Sequence, residues 1–488
     1  MKQVTLNKTM SRPVLKPLST LIPVLLLAGC SQIPVYEKPK TELPDQWQLS
    51  QTQQLQSVVM DESAWWKQLA GSETLNQLID EALKNNQDIA LARVNLEQAI
   101  SLLRQSQSGR YPELNANAGL ARTQSSDQAY PMQQGATFGD FSLGALLSYE
   151  LDLWGRVDAS VKQSEAALKA TQADQHTLKL SVSAAVAQSY LNLMALNQSL
   201  LLAQNTVQSR KETLELRQTQ LEYGSVTPLT VYQAESELAA VEISLHQLQE
   251  QRDLQLHALG VLVGRSPSAL VNMTGDAMPT EALTYTDSLP LPKSLPSDLL
   301  NRRPDIFAAE QRLIAANANI GVAKAALFPS ISLTGLLGFQ SEALSHLFDD
   351  DAVTWNASAG ITAPIFDYGR RQAQVRISEA QKKAMVINYQ QTIRNAFKEV
   401  LDALTRLEGS SKQLAAQQRQ VTALKQTLEL AQSRFDAGYS SYLEVLDAQR
   451  NLFNAELAQV SMKLNHSSAL VSLYKALGGS WEKPKAEA

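Results

Sequence analysis

Two stretches of the sequence, residues 157–223 and 371–437, run without a proline, and between them they hold a single glycine, Gly409. A chain interrupted so rarely over so long a distance has one economical conformation. It is a helix, which at 1.5 Å per residue would reach roughly 100 Å. Leu193, Leu200, Val207, Leu214 and Leu221 stand at strict seven-residue spacing in the first stretch. Leu407, Leu414, Val421, Leu428 and Phe435 do so in the second. A sustained heptad repeat implies left-handed coiled-coil packing. The remaining positions are rich in Gln, Ser, Thr and Glu, as walls facing water would be. Only 18 prolines and 21 glycines occur in 488 residues, in keeping with long uninterrupted elements. Gly224 and Gly438 close the two stretches, and a second helical tract follows each. Both glycines therefore mark tips of helical hairpins, where a left-handed residue ends one helix.

The same landmarks occur twice in the same order. Asp88-Ile89 stands before Tyr111-Pro112 as Asp305-Ile306 stands before Phe328-Pro329, with equal spacing. Leu151-Asp152-Leu153-Trp154-Gly155-Arg156 is answered by Phe366-Asp367-Tyr368-Gly369-Arg370, and Leu259-Gly260 by Leu477-Gly478. The expected organisation is a signal segment (1–29), an N-terminal segment (30–60), a first repeat (61–278), a Pro-rich linker (279–304), a second repeat (305–481) and a short tail (482–488). Within the first repeat strands are expected at about 111–124 and 138–153, a long helix at 156–223 and a return helix at 228–260. The second repeat has the equivalents at about 328–340, 353–366, 370–437 and 442–478.

The strand-like segments alternate clearly. Leu114, Ala116, Ala118 and Leu120 are interleaved with Asn115, Asn117 and Gly119. Trp355, Ala357, Ala359, Ile361, Ala363 and Ile365 are interleaved with Asn356, Ser358, Gly360 and Thr362. Leu146 alone breaks the pattern of its segment. Alternation over about ten residues fits a transmembrane barrel and equally a soluble sheet with one wet face. Four strands cannot close on themselves, and an open edge is not tolerated in lipid. If these are membrane strands, several chains must share one barrel. Two copies would give eight strands filled by side chains, and more would give an open lumen.

The N-terminus favours the membrane reading. Lys2, Lys8, Arg12 and Lys16 precede an apolar stretch from Leu18 to Ala28, too short and too interrupted by Pro23 to span a bilayer. It ends in Leu27-Ala28-Gly29-Cys30, and Cys30 is the chain's sole cysteine. The arrangement resembles a bacterial lipobox, in which the cysteine is lipidated and becomes the first mature residue. The alternative is an ordinary secretory signal with a chance cysteine. Ser31, in place of aspartate, points to the outer membrane. Removal of residues 1–29 lowers the formal net charge from −5 to −9, which argues against a nucleic-acid partner.

Taken together, these landmarks resemble the TolC-like outer-membrane efflux proteins, in their lipoprotein branch. The resemblance is carried by Trp65-Trp66-Lys67-Gln68-Leu69, Arg302-Arg303-Pro304-Asp305-Ile306, the run from Asn317-Ala318-Asn319-Ile320-Gly321 to Phe328-Pro329, Pro364-Ile365-Phe366-Asp367, and Tyr442-Leu443-Glu444-Val445-Leu446-Asp447-Ala448-Gln449-Arg450. It covers about Pro34 to Trp481. It implies a mostly α fold with membrane β: a homotrimer with a twelve-stranded barrel and a twelve-helix periplasmic tunnel. It further implies an equatorial collar, and a tip docked to a periplasmic adaptor and an inner-membrane pump. The function implied is a passive, gated exit channel for small molecules such as drugs. The same fold serves protein secretion, and a non-conducting structural lipoprotein would also explain the anchor and heptads.

Carried over position by position, the resemblance places a periplasmic constriction on Leu443, Glu444, Asp447 and Arg450. Leu443 and Asp447 lie one helical turn apart. In a ring of copies, carboxylates would favour cations. The plain alternative is that acids near a helix start complement its dipole. Gly224, Ser225, Val226, Thr227, Gly438, Ser440 and Ser441 are expected to face the adaptor, or else to serve only as turn residues. Arg303-Pro304-Asp305 reads as a helix start. His176, His246, His257, His346 and His466 are scattered, and neither a zinc pattern nor a phosphate loop is present. No enzyme, metal or cofactor is expected beyond a covalent lipid on Cys30.

Overall fold

The computed structural model describes residues 31–42, 66, 72–126, 137–272, 299–479 and 481. Cys30, Trp65 and most of the 279–304 linker lie outside the described residues. In chain order the elements of the first half are α1 (Glu73–Asn85), α2 (Gln87–Ser108), β1 (Glu113–Gln124), β2 (Thr137–Leu151), α3 (Arg156–Glu222), α4 (Pro228–Leu262) and α5 (Pro267–Val271). Then follow α6 (Leu299–Arg302), α7 (Pro304–Ala325), β3 (Ser330–Ser341), β4 (Val353–Thr362), α8 (Arg370–Asp436) and α9 (Tyr442–Ala476). The chain divides into two compact units, each drawing on both halves. One comprises residues 1–38, 99–168 and 311–386, the other 39–98, 169–310 and 387–488.

The first unit holds one antiparallel sheet of order β1-β2-β3-β4. Its register sets Leu114 opposite Leu147 and Leu120 opposite Phe141. It also sets Leu143 opposite Phe339, Leu337 opposite Trp355 and Ile331 opposite Ile361. Opposed residues share a face, so the apolar positions of all four strands make one apolar face. Leu114, Leu120, Leu337, Trp355 and Ile361 on that face are exposed. Leu146, the exception in its strand, meets Leu336, a second apolar residue on the polar face. Gly144 opposes Gly338, and a Cβ on Gly338 would lie 2.6 Å from the Gly144 Cα. The close approach of the two central strands there requires glycine at 338, whereas a Cβ on Gly144 would come no nearer than 3.2 Å, to the Leu337 carbonyl oxygen. β4 ends at Thr362 rather than near 366, because Pro364 has no N–H to donate. β1 and β4 each pair on one side only, so both outer edges are open.

The repeated turns into the long helices are built alike. The Asp152 carboxylate accepts from the Val157 and Asp158 amides at 3.0 and 2.8 Å. The Asp367 carboxylate accepts from the Gly369 and Arg371 amides at 3.0 and 3.2 Å and from Arg371 Nη1 at 3.1 Å. Gly155 and Gly369 adopt φ of 70° and 79°, a left-handed conformation that glycine takes without strain. Partial desolvation raises the Asp367 carboxyl, but the bonds from Arg371 and Gly369 outweigh it and hold its pKa below the ordinary aspartate value. A carboxyl that is the stronger acid when folded stabilises above its unfolded-state pKa and loses that effect as pH falls through the folded one. Thermal melts of wild type and Asp367→Asn are therefore expected to differ at neutral pH and to converge as pH falls below the ordinary aspartate range.

The second unit has the main core. Leu75 and Ile79 of α1 pack with Tyr190 and Leu193 of α3, Leu256 and Leu259 of α4, and Leu473 and Tyr474 of α9. Each such large side chain contributes about 1.5–3 kcal/mol when fully buried. The Ser72 and Tyr190 hydroxyls are hydrogen-bonded at 2.9 Å. Each half closes with the same kind of clamp. Asn86 accepts from the Asp88 and Ile89 amides at the start of α2, while its Nδ2 donates to the Leu262 carbonyl at the end of α4 (2.8 Å). Arg303, at the start of α7, donates from Nη1 to the Ala476 carbonyl at the end of α9 (2.9 Å). Its Nη2 also pairs with Asp305 (2.7 Å) and Glu399 (2.8 Å). Arg303-Pro304-Asp305 is thus a helix start that also grips a second helix end.

Candidate functional site at the hairpin tips

The heptad positions bury one seam of each long helix. Leu193, Leu200, Val207, Leu407, Leu414 and Val421 are buried, and Leu214, Leu428 and Phe435 pack partly buried near the tips. α3 ends in a Schellman motif: the Gly224 amide donates to Leu221 O and the Ser225 amide to Gln220 O, both at 2.9 Å. α8 ends the same way, with the Gly438 amide on Phe435 O and the Tyr439 amide on Arg434 O. Gly224 and Gly438 have φ of 69° and 76°. α4 starts at Pro228 after Thr227, and α9 starts after Ser441. Gly224, Ser225, Thr227, Gly438 and Ser441 are exposed, while Val226 and Ser440 are half-buried. Ser225 Oγ donates to the Gln220 carbonyl at 2.8 Å, so this serine also serves the turn.

The first turns of α9 split cleanly into two faces. Tyr442, Val445, Leu446 and Ala448 are buried against Ala234 of α4 and Ala431 of α8. Leu443, Glu444, Asp447 and Arg450 are exposed. Leu443, Asp447 and Arg450 follow each other at i, i+4 and i+7, so they form one stripe. Leu443 is 60% exposed, an apolar side chain held out in water. Arg450 pairs with Asp447 and lies 3.9 Å from Glu237 of α4. Glu444 sits in the first turn of α9, 3.8 Å from Arg434 in the last turn of α8. That placement suits the helix dipoles at both ends.

Two buried cations that sequence reasoning passed over lie beneath this stripe. Arg210 and Arg217, one heptad apart on α3, are 5% and 4% exposed. The Arg217 guanidinium stacks over the rings of Phe435 (4.8 Å) and Tyr442 (4.5 Å) and donates to Gln220 Oε1 at 2.7 Å. Arg210 bonds Gln449 of α9. Burial lowers its pKa, against the opposing pull of Glu237 and then Tyr442. Arginines at heptad spacing read in sequence as a solvated face, which concealed them. Among the described residues, no group of three or more His, Cys, Asp or Glu side chains could hold a metal ion. Nor is any helix among them long and apolar enough to cross a membrane.

Residues 78–265 and 295–479 match the family model described as outer membrane efflux protein. The chain is 35% identical over 460 residues to the cation efflux system protein CusC of Escherichia coli K12, covering 93% of this chain and 97% of that protein. It is equally 35% identical, over 467 residues, to the toluene efflux pump outer membrane protein TtgI of Pseudomonas putida, covering 94% and 97%. Among solved structures it is similar to the Campylobacter jejuni CmeC outer membrane channel, with a TM-score of 0.86 and 29% identity over 93% of this chain and 96% of that one. The repeat, the sheet and the paired helical hairpins thus belong to a known architecture, and the chain is a member of the outer membrane efflux protein family, an outer-membrane component of an efflux system.

Proposed function

We propose that three copies of this chain form the exit duct of a tripartite efflux system. The observation that carries the reading is the sheet. It has an exposed apolar face and two unpaired edges, and such edges are satisfied in lipid only by closure with other copies. Twelve strands give a lumen too wide for side chains to fill, which eight would not. The helical tips then meet a periplasmic adaptor, with Gly224, Ser225, Val226, Thr227, Gly438, Ser440 and Ser441 at or beside the contact. Leu443 and Asp447, with Glu444 and Arg450 beside them, line the narrowest point. Cys30 carries the lipid that ties the chain to the outer membrane. The duct is passive, and an inner-membrane pump supplies the energy. Its cargo is small molecules, by analogy with relatives named for cation and toluene efflux.

The test is accumulation of fluorescent efflux dyes in cells with the gene, without it, and carrying Asp447→Ala. Deletion is expected to raise accumulation toward that of cells with a collapsed energy supply, and the wild-type gene to restore low levels. A changed efflux rate in Asp447→Ala cells locates the constriction. If several dyes and drugs accumulate equally with and without the gene, and no redundant duct is present, small-molecule efflux is wrong. Protein secretion or a structural role then takes its place.

A further inference from the structure

The stripe on α9 contains its own countercharge. Asp447, 57% exposed, would make an acidic ring in an assembled duct, yet Arg450 pairs with it three residues on. Were that pairing complete, Arg450 would cancel the Asp447 charge in each copy, and the acid remaining at the narrowing would be Glu444, which lies 3.8 Å from Arg434. The pairing is not exclusive, because Arg450 Nη1 lies 3.9 Å from Glu237 Oε1 on the neighbouring helix α4. Glu237 is the more sheltered of the two acids, with 18% of its side chain exposed. Its charge is also felt by the buried Arg210 of α3. Gln449, next to Arg450, bonds that same Arg210. Arg450 thus stands between Glu237 of α4 and Asp447 on the exposed face of α9.

Resting on the reading of Leu443 and Asp447 as the constriction, we propose that Glu237 sets the charge of that constriction by competing with Asp447 for Arg450. When Arg450 leans to Glu237, Asp447 is left as a bare carboxylate facing the lumen and the ring favours cations. When it leans to Asp447, the Asp447 charge is neutralised. Attraction between unit charges falls with distance even in water, so a swing of a few ångströms alters the field at the narrowing. Glu237 is a positioning residue for selectivity. It sits behind the lumen-facing stripe and acts through Arg450.

Reversal potentials of the purified channel in planar bilayers under a potassium chloride gradient test this. Asp447→Asn is expected to lower the cation-to-anion permeability ratio. Glu237→Gln is expected to lower it about twofold, by releasing Arg450 to Asp447. Arg450→Gln is expected to raise it by a similar factor, about twofold. The decisive variant is the double, Glu237→Gln with Arg450→Gln. It should match Arg450→Gln alone, because Glu237 has nothing left to act through. If the two changes add independently, Glu237 acts by its own field and the proposal is overturned. It is also overturned if Asp447→Asn lowers the ratio while Glu237→Gln leaves it at the wild-type value. If Asp447→Asn itself changes nothing, the constriction reading has failed, and the proposal with it. Should Glu237→Gln not assemble because Arg210 loses its countercharge, Glu237→Asp keeps that charge and lengthens the reach to Arg450. A smaller fall in the ratio is then expected, and no fall overturns the proposal.

Discussion

Gly478→Ala is expected to cost roughly 3 kcal/mol or more and to keep the chain from yielding stable oligomer. Gly478 follows α9 with φ of 94°, where an L side chain is strained. A Cβ there would also lie 2.8 Å from the Arg302 carbonyl carbon and closer still to its oxygen, and backbone cannot move aside cheaply. Gly264, rather than the Gly260 that the sequence landmarks set against Gly478, occupies the same place after α4, with φ of 80° and a would-be Cβ 2.6 Å from the Asn85 carbonyl carbon. Gly264→Ala should behave alike. The informative contrast is with the tips. Gly224 and Gly438 have similar φ but nothing within 4 Å of an added Cβ. Alanine there should cost only about 1–2 kcal/mol, the left-handed strain alone. Oligomer yield and thermal melts in detergent separate the two classes. If all four variants melt together, close packing at the helix ends is not what requires glycine.

Arg303→Leu is expected to destabilise by about 3–5 kcal/mol, because one buried cation serves three partners. Its removal leaves Asp305, Glu399 and the Ala476 carbonyl without it. Burial alone would lower the guanidinium pKa, but Asp305 and then Glu399 outweigh that and leave it raised. Asn86 performs the corresponding task in the first half with an uncharged amide. Asn86→Leu should therefore cost less, about 1–2 kcal/mol. Chemical denaturation of the two variants side by side reads the difference. Equal losses would mean that the charge on Arg303 adds nothing to the clamp.

The elements with a strict period were legible in the sequence. Seven-residue spacing from Leu193 to Leu221 and from Leu407 to Phe435 identified the long helices, and Gly224 and Gly438 their ends. Alternation showed the strands because successive side chains of a strand point to opposite faces. What the sequence concealed depends on neighbours far along the chain. Leu146 reads as an error in its strand until Leu336 appears opposite it. Arg303 reads as an ordinary residue before a helix, because Ala476 lies beyond any local pattern. At the tip, helical spacing alone places Leu443, Asp447 and Arg450 on one face. It cannot place Glu237 beside Arg450, since that contact arises from the packing of two separate hairpins. Arg210 and Arg217 were missed for the opposite reason: charged residues are mostly exposed, and only the aromatic rings of Phe435 and Tyr442 make burial of Arg217 tolerable.

The central strands of the sheet impose an order on biogenesis. β2 belongs to the first half and β3 to the second, and Phe141 finds Ser341 only after the intervening chain has been made and delivered. Until then β1 and β2 can form no more than a two-stranded ribbon, which is marginal in water, with Leu114, Leu120 and Leu143 on one side of it. Pairing at such sequence separation is slow and leaves apolar strands exposed to aggregation. A nascent molecule of this kind stays open to association with its own neighbours until its second half arrives. A truncated product ending before β3 would carry the hazard with no means of relieving it.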